Sequence, residues 1–213
     1  MERKNINIIL EKHELDNLRS KNLPALFLDR DGVIIKDLHY LSNPAFVELE
    51  NGVKDLFSNT LNNGYPIIII TNQSGIEKGY FGWKEYELVN KKMMHLLGSQ
   101  KLPTAIYANS QENKIPQKCW RKPSPNMLFQ ARDDLNINLE KSIIIGDRLS
   151  DLEAGINAGL FFAYHVATGH GKNERENVKN FISKYANKDL ENKLLKVLLI
   201  DSLKDLPKDL FGQ

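Results

Sequence analysis

The chain has 213 residues, 41% hydrophobic and 26% charged, with Lys+Arg 29 against Asp+Glu 27 for a net charge of +2. That length suffices for one well-buried core, and the balance excludes a disordered chain. The small charge gives no reason to expect a nucleic-acid or anionic-membrane partner, and a single cysteine, Cys119, excludes an intrachain disulfide and an all-cysteine metal site.

Residues 1–23 stand apart as an N-terminal extension. Ile6 to Leu10 reads as a strand and His13 to Arg19 as a short polar helix, either an added sheet edge or an arm. The apolar run Ile8-Ile9-Leu10 is too short for a signal peptide, and Ile67 to Ile70 is far short of a membrane span, so a cytoplasmic protein is expected.

From residue 24 onward, short apolar runs alternate with helix-length segments. Ala25 to Leu28, Pro66 to Ile70, Ala105 to Tyr107, Ser142 to Ile145 and Leu160 to Tyr164, the last running on through His165 and Val166, carry no polar alternation, the pattern of strands buried on both faces of a parallel sheet. Val53 to Asn62, Trp83 to Leu97, Ser124 to Leu135 and Leu149 to Ala158 read as helices, the third opened by a Ser-Pro cap. Strand and helix in alternation predict an α/β fold, a doubly wound Rossmann-like parallel sheet forming a single domain over 24–213. Residues 172–196 hold seven Lys/Arg against four acids and read as a solvated helix face. Lys196 to Ile200 reads as a last strand, and Ser202 to Leu210 as a capped helix.

In such a sheet, ligands bind beyond the carboxyl ends of the strands. Four of these ends carry polar chemistry: Asp29-Arg30-Asp31-Gly32, Thr71-Asn72-Gln73-Ser74-Gly75, Asn109-Ser110, and Gly146-Asp147-Arg148 with Asp151. The pair Arg121-Lys122 precedes a helix start. Carboxylates converging there need a cation between them, and an all-oxygen set suits Mg²⁺. Asp29 and Asp31, two apart in extended chain, face the same way and can divide labour, one attacking while the other carries the proton. Arginine is scarce, 7 of the 29 basic residues, yet Arg30, Arg121 and Arg148 fall inside these motifs.

Leu28-Asp29-Arg30-Asp31-Gly32-Val33-Ile34 resembles the first motif of the haloacid dehalogenase superfamily of phosphotransferases. Thr71-Asn72-Gln73-Ser74-Gly75-Ile76 is similar to the second as written in its heptose-bisphosphate phosphatase branch, Arg121-Lys122-Pro123-Ser124-Pro125 to the third, and Gly146-Asp147-Arg148-Leu149-Ser150-Asp151 to the fourth. The resemblance implies Asp29 as nucleophile, Asp31 as the proton carrier, and Mg²⁺ on Asp29, the Asp31 carbonyl and Asp147. It implies Thr71 and Asn72 on the phosphoryl oxygens, Lys122 neutralising the transferring group, and Asp151 supporting the site from behind. Substrate contacts are then expected from Arg30, Gln73, Ser74, Arg121 and Arg148, with His39 and Tyr40 as candidate sugar contacts. The implied substrate is a small phosphorylated sugar, a heptose 1,7-bisphosphate losing its 7-phosphate. Alternatives are histidinol phosphate, another small phosphate or a nucleic-acid 3′ end, and, in a different class, a non-enzymatic binding domain.

The intervals from Asp31 to Thr71 and from Thr71 to Lys122 are too short for a second folded unit, so an essentially capless enzyme is expected. Its site would be shaped by loops 36–45, 75–82 and 109–120. Relatives in that branch commonly carry a zinc loop before the third motif. Here those places hold Asn109, Gln111, Lys118 and Trp120, none a thiol or imidazole, so no zinc is expected, with Pro116 and Trp120 packing the loop instead. A monomer without nucleic-acid or membrane partners is expected.

Overall fold

The computed structural model describes residues 4–111, 119–160, 162–186 and 196–212. Seven strands form one sheet: β1 (Lys4–Ile8), β2 (Leu26–Leu28), β3 (Ile67–Asn72), β4 (Ala105–Asn109), β5 (Ile143–Gly146), β6 (Phe162–Val166) and β7 (Lys196–Ile200), in the order β1-β4-β3-β2-β5-β6-β7. Only the β1–β4 pair is antiparallel. The helices are α1 (Lys12–Arg19), α2 (Val53–Asn62), α3 (Ser74–Glu77), α4 (Trp83–Leu97), α5 (Asn126–Leu135), α6 (Leu149–Asn157) and α7 (Gly171–Ala186).

The unbroken apolar runs are explained by the two faces of the sheet. Leu26, Leu28, Ile67, Ile69, Ile143 and Ile145 pack into one core with α2 and α4. Phe27, Ile68, Ile70 and Ile144, one residue out of phase, pack into a second core with α5 and α6. Successive strand side chains point to opposite faces, so a strand covered on both sides must be apolar at every position. Each such buried side chain contributes about 1.5–3 kcal/mol.

The structure departs from the sequence reading at four places. The strand expected over Ile6 to Leu10 lies at Lys4–Ile8. β3 continues past its apolar run, because Thr71 and Asn72 pair with Ala108 and Asn109 of β4, bringing two polar residues into the sheet. Helix α5 begins at Asn126, and Ser124-Pro125 lies in the turn before it, where Ser124 Oγ accepts the Asn126 N–H at 3.3 Å. The expected helix over 202–210 shrinks to one turn at Leu203–Asp205, since Leu206 precedes Pro207 and is extended.

Residues 4–19 belong to the same body. β1 adds an edge to β4, and α1 is tied to the end of α5 by Arg19 Nε donating to the Asp134 carbonyl and Asn136 Nδ2 donating to the Arg19 carbonyl, both at 2.6 Å. In α7, Lys172, Lys179 and Lys184 are exposed while Val178 is buried, a solvated face, and residues 187–195 of the basic stretch lie outside the described residues. Among the described residues, 33–66 hold one short turn and α2, and 74–120 hold α3, α4 and β4, with no second folded unit. No helix among them is long and apolar enough to cross a membrane.

Candidate active site

Strand β2 is the switch point: the chain leaves it toward β3 and β4 on one side and returns through β5 and β6 on the other. The crevice beyond its carboxyl end is where such a sheet binds ligands. Asp29 follows β2 directly, its N–H donating to the Ile145 carbonyl at 3.1 Å. Its Oδ1 lies 2.9 Å from Lys122 Nζ, which also lies 2.6 Å from Asp151 Oδ1 and donates to the Ile70 carbonyl at 3.0 Å. The ammonium and both carboxylates are buried.

Asp147 completes an acidic group. One ligand oxygen each from Asp29, Asp147 and Asp151 lies within 4.8 Å of the others. Asp147 Oδ2 accepts the His170 N–H at 2.7 Å, while its Oδ1 is buried without a hydrogen-bond partner. Gly32 and Gly169 press on this carboxylate, both at positive φ, and a Cβ on Gly32 would stand 2.5 Å from Asp147 Oδ2. No larger residue fits that approach.

Burial pushes the Asp29 carboxyl up to about 7, with Lys122 opposing and Asp151 and Asp31 adding to the rise. Burial, Asp151 and Asp29 push Asp147 up to about 8. Burial works against the Lys122 ammonium, but Asp151 and Asp29 outweigh it and hold it above its usual range. Three converging carboxylates, two of them on one ammonium, with one buried oxygen unpartnered, fit a hard divalent cation held by oxygen, as Mg²⁺ is.

Of the expected residues, Asp29, Arg30, Asp31, His39, Tyr40, Asn72, Gln73, Ser74, Arg121, Lys122, Arg148 and Asp151 line a single open cavity of about 480 Å³. Thr71 and Asp147 are buried outside its lining. Three expected substrate contacts are engaged within the protein, Asn72 by the main chain of Lys122 and Arg30 and Gln73 by Asp31. The Arg30 guanidinium, 1% exposed, donates from Nε and Nη2 to Asp31 and from Nη1 to Asn90 of α4. Gln73 Nε2, also buried, donates to Asp31 Oδ2 and to Thr71 Oγ1, both at 2.8 Å. The side chain of Asp31 therefore turns to Arg30 and Gln73 and not into the acidic group. Asp151, expected behind the site, belongs to that group directly, and its Oδ2 caps α6 by accepting the Arg148 N–H.

The mouth is built by residues the sequence reading partly missed. His39 and Tyr40 both adopt left-handed backbone; their rings lie tilted against each other at 4.4 Å, and the Tyr40 ring lies tilted against Tyr80 at 4.7 Å. Lys78 Nζ donates to the Tyr40 hydroxyl at 3.0 Å. Asp37 accepts the His39 N–H on Oδ1 and pairs through Oδ2 with His170 Nε2 at 2.8 Å. Thr168 Oγ1 donates to the Gly32 carbonyl. Thr168, Gly169 and His170 follow β6, so the strand-end rule that found the other motifs would have found them too.

Asn109 donates from Nδ2 to the Gln111 carbonyl, and the buried Trp120 packs near Tyr107 with Lys4 Nζ 4.4 Å from its ring centroid. Lys118 and Pro116 lie outside the described residues. No second group of potential metal ligands occurs among the described residues.

The model of the family described as polynucleotide kinase 3 phosphatase matches residues 26–189. A D-glycero-beta-D-manno-heptose-1,7-bisphosphate 7-phosphatase of Mesorhizobium japonicum is 40% identical over 146 residues, covering 65% of this chain and 67% of that one. A D-glycero-alpha-D-manno-heptose-1,7-bisphosphate 7-phosphatase of Photorhabdus laumondii is 35% identical over 166 residues, covering 74% and 90%. The D,D-heptose 1,7-bisphosphate phosphatase of B. bronchiseptica, solved with magnesium and phosphate, shares the fold with a TM-score of 0.69 at 23% identity, over 84% of this chain and 93% of that one. The family match spans every strand-end motif and leaves β1, α1 and β7 outside it.

Proposed function

The chain belongs to the polynucleotide kinase 3 phosphatase family of haloacid dehalogenase-type phosphatases, and on that premise we propose that it removes the 7-phosphate of D-glycero-D-manno-heptose 1,7-bisphosphate through a phosphoaspartyl intermediate. The observation that carries the reading is the buried Lys122 ammonium bridging Asp29 and Asp151 at the floor of an open polar cavity.

In this mechanism an Asp29 oxygen attacks phosphorus, the bond from phosphorus to the sugar oxygen breaks, and the Asp31 proton goes to that oxygen. Asp31 then takes a proton from water as the water oxygen bonds to phosphorus, releasing inorganic phosphate and free Asp29. Uncatalysed phosphate-monoester hydrolysis is so slow that accelerations reach ~10²¹-fold, and most of that must come from charge held in place. Lys122 supplies one fixed positive charge. Asp29, the Asp31 backbone carbonyl and Asp147 would hold Mg²⁺, with Asp151 beside them. The ion supplies further positive charge against the phosphoryl oxygens and favours ionised Asp29. Thr71 and Asn72 stand at the end of β3 beside the transferring group, the Asn72 amide held by the Lys122 main chain.

The wide mouth fits a substrate that brings a second charged handle. Arg121 and Arg148 line it, and Arg121 Nη1 is buried without a hydrogen-bond partner among the described residues, which supports a contact to the remaining phosphate. Ser74 and the His39–Tyr40 pair line the wall where the sugar would lie. The relatives divide between alpha and beta anomers, so anomer choice rests on this wall. The reading includes no zinc, since Asn109, Gln111 and Trp120 offer neither thiol nor imidazole, and a monomer acting in the cytoplasm on a small phosphorylated sugar, without nucleic-acid or membrane partners.

The test is phosphate release, with Mg²⁺, from both anomers of the heptose bisphosphate, histidinol phosphate, other sugar phosphates and a 3′-phosphorylated oligonucleotide. The heptose bisphosphate should give the highest kcat/KM. If the oligonucleotide or histidinol phosphate is clearly preferred, the substrate assignment fails.

A further inference from the structure

We propose that Arg30 is a positioning residue: it fixes the orientation of the Asp31 carboxyl, and Asn90 on α4 fixes Arg30, so proton transfer at the leaving oxygen is set from the back of the site. The proposal rests on the reading of Asp31 as the proton carrier.

The guanidinium meets Asp31 through two nitrogens, Nε 3.1 Å from Oδ2 and Nη2 3.0 Å from both Oδ1 and Oδ2. Two contacts from a planar fork define the plane of a carboxylate, which a single ammonium contact does not. Arg30 is itself held. Nη1 donates to Asn90 Oδ1 at 2.9 Å, and Cζ lies 5.1 Å from the ring centroid of Tyr86. Tyr86 and Asn90 are four apart on α4 and share one helix face, so a single element backs the guanidinium. Arg30 borders the cavity, yet its guanidinium is almost fully enclosed and its donors are turned to Asp31 and Asn90, not to a substrate.

The arrangement also distinguishes the two oxygens of Asp31. Oδ2 accepts from Arg30 Nε and from Gln73 Nε2, using both of its lone pairs. Oδ1 accepts from Arg30 Nη2 alone. Oδ1 is therefore the oxygen that gives and takes the proton. The side chain of Asp31 is 24% exposed, leaving an edge open to the cavity.

A residue that only stabilises the fold would affect all substrates alike. A residue that aims a proton matters where the leaving oxygen needs one. A sugar alkoxide needs protonation as it leaves; 4-nitrophenolate does not. The experiment compares kcat/KM for the best sugar phosphate with kcat/KM for 4-nitrophenyl phosphate, both reporting transfer to Asp29. Arg30→Lys and Asn90→Ala should lower the ratio of the two by about 10-fold to 10²-fold, a sizeable part of what general acid catalysis contributes. Asp31→Asn, the control, should lower it at least as far. Circular dichroism checks folding, and Asn90→Ala, which removes one hydrogen bond and no charge, serves if Arg30→Lys does not fold. If Asp31→Asn lowers the ratio and Asn90→Ala and Arg30→Lys leave it unchanged, the proposal is wrong while the reading of Asp31 stands. If Asp31→Asn leaves the ratio unchanged, the reading itself fails and the proposal with it.

Discussion

Asn72 and Lys122 hold each other by two reciprocal hydrogen bonds: the Lys122 N–H donates to Asn72 Oδ1 at 3.1 Å, and Asn72 Nδ2 donates to the Lys122 carbonyl at 3.3 Å. The residues are fifty apart in sequence, one at the end of β3 and the other before α5. This clasp sets where the Lys122 main chain enters the site, and the ammonium reaches Asp29 from that point. Asn72→Ala should leave the sheet intact, since β3 remains paired on both sides. It should lower kcat by about 10²-fold, the scale on which small misplacements of reacting groups are felt. Steady-state kinetics with an unchanged melting temperature would bear this out; an unchanged kcat would show that the clasp does not place Lys122.

Asp29→Asn separates catalysis from stability. The amide cannot attack phosphorus, so phosphate release should fall to the background rate. A buried carboxyl pushed up to about 7 disfavours its own ionised form, and a neutral isostere removes that strain. The variant without added metal should therefore be more stable than the parent at pH 8, by on the order of 1 kcal/mol in urea unfolding. A variant less stable at that pH would mean that the Lys122 pair outweighs the burial of Asp29.

The same two carboxyls give the protein a pH dependence that Mg²⁺ should reverse. Asp29 and Asp147 bind protons more tightly when folded than when unfolded, their ordinary value being 3.8 and their folded values about 7 and about 8. The folded chain thus carries the extra protons between pH 4 and 8. Their contribution to stability is greatest at low pH and is lost as pH rises through this window, by at most about 1.4 kcal/mol per pH unit for each group. Urea midpoints in EDTA should fall more steeply from pH 5 to 8 for the parent than for Asp29→Asn. With millimolar Mg²⁺ the decline should flatten, because the ion binds the ionised form and stabilises the fold by mass action. Identical slopes with and without Mg²⁺ would remove Asp29 and Asp147 as its ligands.

How much of this was legible in the chain differs from element to element. The helices Val53–Asn62 and Trp83–Leu97 coincide with their apolar periodicity, and the central strands β2 and β5 match their unbroken apolar runs to within a residue at either end, since both patterns are set by burial. The strand-end aspartates were legible because parallel sheets gather their ligands at one edge. What was not legible is side-chain direction. Arg30 reads as a cation in a phosphate motif, yet its partners, Asp31 and Asn90, lie one and sixty positions away, and nothing local reports the second. The Asp37–His170 pair spans two loops joined only by the closure of the sheet. The capping signal at Ser202 implies a longer final helix than the single turn Leu203–Asp205, because Pro207 holds Leu206 extended and ends it.

Gly169 offers the most local test of the acidic group. It sits at φ +52 after β6, and a Cβ there would collide with Asp147 Oδ2 and stand 2.6 Å from the Gly32 Cα. Gly169→Ala must either shift the 168–170 turn or displace the Asp147 carboxylate, and the turn is held by Thr168 on the Gly32 carbonyl and His170 on Asp147. The variant should lose about 1–3 kcal/mol of stability from the positive φ and the crowding. Its apparent affinity for Mg²⁺, read from the activation curve and from Mg²⁺-dependent melting, should fall about 10-fold to 100-fold, as when the groups that orient a metal ligand are disturbed. Gly159→Ala serves as the comparison, because Gly159 also has positive φ, +79, but nothing lies within 4 Å of its Cβ position. It should lose similar stability with no change in Mg²⁺ dependence. Equal loss of Mg²⁺ affinity in both variants would assign the effect to general loosening, and Asp147 would no longer be singled out.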